Sequence, residues 1–147
     1  MTSYKSNHDT FPHGFTAFPV DNDILPANAS YPVQQLYNYA NVSSAWANYG
    51  WLSVADAQRV ITSGLGIYRT VTKEGLVIIS LNSDAWYYFN IYAYIQANVP
   101  DKTGMFRILI DYLLDAESNQ QAVWIIQHVN TGGSTSYESL PAPTDLW

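Results

Sequence analysis

Residues 6–10 read Ser-Asn-His-Asp-Thr. An amide, an imidazole and a carboxylate in consecutive positions are side chains that hold divalent cations and move protons. A second chemically competent residue, His128, follows the apolar run at 122–126, and Asn82 follows another at 76–81. A strand ahead of such a residue fixes its backbone, so a histidine there can present a neutral ring nitrogen to a cation. Each position also has a plainer reading. Asn7, His8 and Asp9 stand close to a start methionine, where a polar run frays or makes a local turn. His128 also reads as a hydrogen-bonded histidine closing a strand, and His13, in a Pro/Gly loop, reads as solvated.

The elements that would position these residues can be read from periodicity. Residues 76–81, Leu-Val-Ile-Ile-Ser-Leu, are a continuous apolar run bounded by Gly75 and Asn82, the pattern of a strand buried on both faces. Residues 104–118 carry Phe106, Leu109, Ile110 and Leu113 at helical spacing, with Arg107 and Asp111 four apart and able to pair. Asp101 or Thr103 would cap that helix. Residues 122–126 predict a second short buried strand. Strand, helix, strand is a βαβ unit over 76–128, with its two strands parallel. In such a sheet, ligands gather beyond the carboxyl ends of the strands, which is where Asn82 and His128 fall.

Ahead of that unit the signals are weaker. Residues 11–31 are broken by Pro12, Gly14, Pro19 and Pro26, and Pro32 follows. Residues 33–48 show loose helical spacing, stopped by Gly50. Ser53 is an N-cap for a short helix ending at Gly64. Residues 66–72 alternate and are rich in β-branched and aromatic side chains, as a half-exposed strand is. The aromatic run Trp86, Tyr87, Tyr88, Phe89, Tyr92 and Tyr94 reads either as a sugar or lipid platform or as a connection packed onto the sheet.

The composition bounds the function. The chain has 147 residues, 48% of them hydrophobic and 12% charged, enough for one domain with a sizeable core. A net charge of −6 argues against a nucleic-acid backbone as partner. With no cysteine there is neither disulfide nor thiolate chemistry. No apolar stretch is long enough to predict a transmembrane helix, and the polar first residues are not those of a signal peptide. Asn28 and Asn41 begin glycosylation sequons, which have meaning only in a secreted chain. No phosphate-binding glycine loop, dinucleotide fingerprint or nucleophile-elbow serine is present.

Four segments in order resemble the acid-sphingomyelinase-like branch of the calcineurin-like metallophosphoesterases. Residues 6–12, Ser-Asn-His-Asp-Thr-Phe-Pro, resemble that family's Gly-Asn-His-Asp/Glu loop. Residues 75–88 resemble its strand ending in Ser-Leu-Asn, and 100–117 resemble the helix that follows. Residues 123–133 resemble its Ile-Ile-Gly-His-Val strand and loop. The likeness runs from residue 6 to about 145.

The resemblance implies an α/β fold: a metallophosphoesterase β-sandwich flanked by helices, present here in part. It implies a two-ion site, usually zinc, in which Asn7 and His128 would ligate one ion. His8 would protonate the departing alkoxide or orient the phosphate, and Asn82 would support ligands without holding an ion itself. The implied substrate is a phosphodiester lipid, with sphingomyelin giving ceramide and phosphocholine. The implied location is secreted or lysosome-like and vacuolar.

The departures are as telling. The family's Asp-x-His and Gly-Asp ligands would precede residue 6, and its Gly-His-x-His ligands would follow residue 147. Ser6 and Gln127 replace two glycines of the pattern, and glycine permits close backbone approach to a site. The expectation is one partial domain over 1–147 with at most one incomplete zinc site, inactive alone, whose partner is the missing part of its own domain. The rival expectations are a non-catalytic lipid- or glycan-binding module using residues 86–94, and a truncated gene product without independent function.

Overall fold

A computed structural model describes residues 17–19, 31–95 and 98–131 of the chain. The polypeptide is mixed α/β, with four helices and one three-stranded sheet among these residues. The expected features at 6–12, 13 and 28 lie outside the described residues.

Helix α1 (Tyr31–Asn48) begins two residues earlier than periodicity predicts, with Pro32 in its first turn, where a missing N–H costs nothing. Helix α2 (Val54–Ser63) is fixed by its own ends. The Ser53 hydroxyl accepts from the Asp56 N–H at 3.0 Å, and Gly64 stops the helix with a left-handed φ of 65°. Strand β1 (Tyr68–Val71) is half-exposed as predicted and turns through a hairpin into β2 (Val77–Ser80). A short 3₁₀ turn (Ser83–Ala85) and the one-turn helix α3 (Ile91–Tyr94) lead to α4 (Met105–Ser118) and then β3 (Val123–Ile126).

The sheet order is β1-β2-β3, with β1 antiparallel and β3 parallel to β2. The βαβ unit is therefore present, and β2 is its central strand. Val77, Ile78, Ile79 and Ser80 are all buried. Val77 and Ile79 pack with Phe18, Leu81, Trp86, Met105 and Ala116 in a core roofed by α4. Burying side chains of that size contributes about 1.5–3 kcal/mol each. A second cluster, Tyr39, Trp46, Leu52, Val60 and Tyr68, joins α1 and α2 to β1.

Two details of α4 and β3 differ from the sequence expectation. The helix turns Met105, Ile108, Leu109, Tyr112, Leu113 and Ala116 inward, while Ile110 stands 45% exposed. Asp115 pairs with Arg69 of β1 at 2.8 Å, a partly exposed contact of small energetic weight. Gly104 takes the N-cap position with φ 73°, and both predicted residues still serve that end. The Asp101 carboxylate accepts from the N–H groups of Phe106 and Arg107 at 2.9 and 2.8 Å, and the Thr103 hydroxyl accepts from Met105 N–H. Strand β3, expected to be buried, is an edge strand with Trp124 64% and Ile125 46% exposed. An apolar run marks burial only when other layers cover it. Among the described residues, no fourth strand pairs with the outer edge of β3.

One glycine is indispensable. Gly66 joins α2 to β1 at φ +72°, and a Cβ there would lie 2.9 Å from the Tyr39 ring and 3.0 Å from the Asn82 amide nitrogen. Gly66→Ala is expected to cost about 2–4 kcal/mol, combining a strained φ with a clash against buried atoms. A urea midpoint within error of the parent chain contradicts this.

Alkaline sensitivity follows from the same core. Burial pushes the Tyr68 phenol above its ordinary value, against a smaller opposing pull from its hydrogen bond with Ser80. The neutral ring is favoured in the folded state, so this contribution is whole below pH about 10 and is lost as pH rises through the folded pKa. Tyr112 is raised likewise, chiefly by burial. Stability measured by denaturant titration is expected to fall above pH 10, and Tyr68→Phe to flatten that fall. An unchanged alkaline slope in the variant contradicts the assignment.

Candidate functional site

Because β2 and β3 are parallel and Ser80 is in register with Ile126, the two strands deliver their next residues to one edge of the sheet. Asn82 follows one strand end by two residues and His128 follows the other by two. The sequence-derived pairing of these positions at a common carboxyl edge is therefore present, but the two side chains differ in kind.

Asn82 is only 1% exposed. Its Nδ2 donates to the Tyr39 hydroxyl at 2.9 Å and to the Leu65 carbonyl at 3.1 Å. Its Oδ1 accepts from the Asp84 N–H at 3.3 Å, capping the 3₁₀ turn. Both amide protons and the amide oxygen are thus engaged within the protein, tying α1, the 65–66 turn and the end of β2 together. The residue is structural support beneath the edge.

His128 is solvent-exposed, just past β3. The loop carrying it is held through its neighbour. Val129 N–H donates to the Ser83 hydroxyl at 2.9 Å, and Val129 C=O accepts from the Trp86 indole N–H at 2.8 Å. Each such bond contributes about 1 kcal/mol net. Trp86 is buried and stacked on Phe106, ring centroids 5.5 Å apart at 17°. Further along, the Asn90 amide donates to the Asp84 carbonyl at 2.7 Å, and Asn90 caps α3. Lys102, nearly buried, donates to the Tyr92 carbonyl at 2.7 Å. The turn after β2 is a shelf of buried polar groups, among them Ser80, Asn82, Ser83, Asp84 and Asn90.

Sequence reasoning did not single out Ser83, Asn90 or Lys102. The one local signal was the Asn-Ser-Asp order after a strand, which favours an Asn-capped turn. The Val129 clamp left no such trace, because its partners are 43 and 46 residues away.

The aromatic stretch is not a flat platform. Trp86 lies in the core, and Tyr87, Tyr88 and Phe89 pack on one another with centroids 4.0–5.6 Å apart. Phe89 and Ile91 are the exposed members. An apolar groove of about 480 Å³ lies at the other edge, between α4 and the start of β3, lined by Ile110, Leu113, Leu114, Glu117, Gln121 and Val123.

As a ligand for a divalent ion, His128 fits in chemistry and exposure, but one imidazole does not hold an ion. Among the described residues no three His, Cys, Asp or Glu side chains form a metal-holding group. Asn7 and His8 lie outside the described residues. Asn41 is exposed on α1, whereas Ser43 of the same sequon is fully buried. Among the described residues no helix is long and apolar enough to cross a membrane.

Comparison with known proteins adds a distant relationship. No protein-family model matches the chain. Over 113 residues it is 30% identical to sphingomyelin phosphodiesterase A of Dictyostelium discoideum, a stretch that takes up 77% of this chain. The match spans 18% of that relative's length.

Asn82→Ala tests the supporting role. It strips the Tyr39 hydroxyl and the Leu65 carbonyl of their buried donor and is expected to destabilise the fold by about 2–4 kcal/mol. A loss below about 0.5 kcal/mol in denaturant titration contradicts that role.

Proposed function

We propose that this chain is part of a metal-dependent phosphodiesterase domain of the sphingomyelin phosphodiesterase type, and that it does not hydrolyse substrate by itself. The observation that supports the reading is the β2–α4–β3 unit, after which His128 follows at the carboxyl edge of a parallel strand pair. The distant likeness to a sphingomyelin phosphodiesterase supports it. In this reading Asn7 and His128 are ligands of one zinc ion, and His8 supplies a proton to the departing alkoxide or orients the phosphate. The substrate class is a phosphodiester lipid such as sphingomyelin, and the working compartment is extracellular or lysosome-like.

Paired metal ions would bind the phosphodiester and activate water for attack on phosphorus. Two ligands do not clamp two cations, so the reading assigns the remaining ligands to polypeptide outside these 147 residues. Among the described residues the outer edge of β3 is unpaired and Trp124 is exposed, which supports a cover of that origin, because an open apolar strand edge invites pairing.

The purified chain with added zinc or manganese is expected to hydrolyse a chromogenic phosphodiester no faster than buffer. Zinc titration by calorimetry is expected to show binding that His128→Ala abolishes. Hydrolysis well above buffer overturns the inactivity, and zinc binding indifferent to His128 overturns the site.

A further inference from the structure

Phosphodiester hydrolysis makes no use of the Asn41-Val42-Ser43 sequon, and helix α1 divides it between two faces. Residues two apart on a helix do not face each other. Asn41 lies with Ser44 and Asn48 on an exposed stripe, whereas Ser43 lies with Tyr39 and Trp46 on the stripe turned inward. A large polar substituent on Asn41 therefore projects away from the buried face through which α1 joins the Tyr39–Trp46 cluster.

Ser43 is the unusual member of the pair. It is fully buried, and its hydroxyl has no hydrogen-bond partner. Water satisfies that hydroxyl in the unfolded chain, so burying it unpaired costs stability. Serine is also a weaker helix former than alanine, which would fill the site without a stranded oxygen. Threonine would keep the hydroxyl but add a methyl group to a fully buried position. The fold thus has no use for the Ser43 oxygen, whereas the sequon needs it: asparagine accepts an N-linked glycan when serine or threonine stands two residues on.

We infer that Asn41 is an acceptor for an N-linked oligosaccharide, modified before α1 packs, and that the Ser43 hydroxyl serves that step and not the folded chain. In the transfer, the Asn41 amide nitrogen bonds to the anomeric carbon of a lipid-diphosphate-linked oligosaccharide. The bond from that carbon to phosphate breaks, the lipid diphosphate leaves, and the amide gives up one proton. Modification must come first, because in the folded helix the amide is outside and the hydroxyl is inside, where one enzyme site cannot meet both. The inference rests on the extracellular or lysosome-like compartment of the proposed function.

The test begins with the full chain directed into the secretory pathway of yeast by an added leader. Enzymatic deglycosylation in heavy-oxygen water turns a glycan-bearing asparagine into labelled aspartate, which peptide mass spectrometry locates. Asn41 is expected to be labelled in the parent and in Ser43→Thr, and unlabelled in Ser43→Ala; Asn41→Gln is expected to lose the glycan at that site. An unlabelled Asn41 in the parent overturns the inference and leaves the phosphodiesterase reading untouched. If Asn41 is labelled there but unmodified in the chain recovered from its own cells, the proposed compartment fails and the inference falls with it.

Two further readouts test the buried hydroxyl with unglycosylated chain made in bacteria. Folded chain given solubilised oligosaccharyltransferase and its lipid-linked donor is expected to be modified at Asn41 at least about tenfold more slowly than chain first unfolded in urea and diluted into the same mixture, because α1 must open first. Equal rates overturn the order of events. Ser43→Ala is expected to unfold in urea at or above the parent's midpoint. A clearly lower midpoint, or failure to fold, gives the hydroxyl a part in the fold and overturns its assignment to the sequon.

Discussion

Parallel pairing of Val77–Ser80 with Val123–Ile126 is the constraint on which the arrangement of the molecule depends. Parallel neighbours end at the same edge, so whatever follows them in sequence is brought together in space. The connection between them must recross the sheet, and α4 does so while laying Leu109, Tyr112 and Leu113 over the β2 core. Packing and placement thus share a single device: the helix that buries the central strand also returns the chain so that Asn82 and His128 lie at one rim.

The rim is divided between an inner residue and an outer one. Asn82 spends every polar atom on the protein, linking Tyr39 of α1, the Leu65 carbonyl and the start of the 3₁₀ turn. Gly66 must be glycine because that amide and the Tyr39 ring occupy the space a side chain would need. His128 is exposed by contrast, and the backbone beside it is bonded through Val129 to Ser83 and Trp86. The opposite rim and the outer edge of β3 carry apolar side chains in the open, Trp124 and Leu114 among them, in a chain matched to a small share of a much longer relative.

What could be read from sequence was what is decided locally. The end signals of α2 are Ser53 and Gly64, and both bond as the residue types predict because each acts within one helical turn. The apolar run of β2 was legible since a central strand is covered on both faces whatever surrounds the domain. The same logic failed for β3, where residues 123–126 look as apolar but lie at an edge. Burial there depends on a neighbouring layer, which four residues cannot encode. Ile110 misled for a related reason: several stripes of α4 are apolar, and the sheet chose the one through Met105, Leu109 and Ala116. The polar shelf and its clamp on Val129 were illegible because serine and tryptophan acquire that role only through contacts more than forty residues apart.

The most direct test of the account is anomalous diffraction at the zinc edge from crystals of the chain grown with zinc. The account predicts a peak about 2.0–2.1 Å from a ring nitrogen of His128, with the Asn7 amide oxygen in the same coordination sphere. A peak elsewhere with none at His128, or Asn7 on the far side of the sheet, contradicts it.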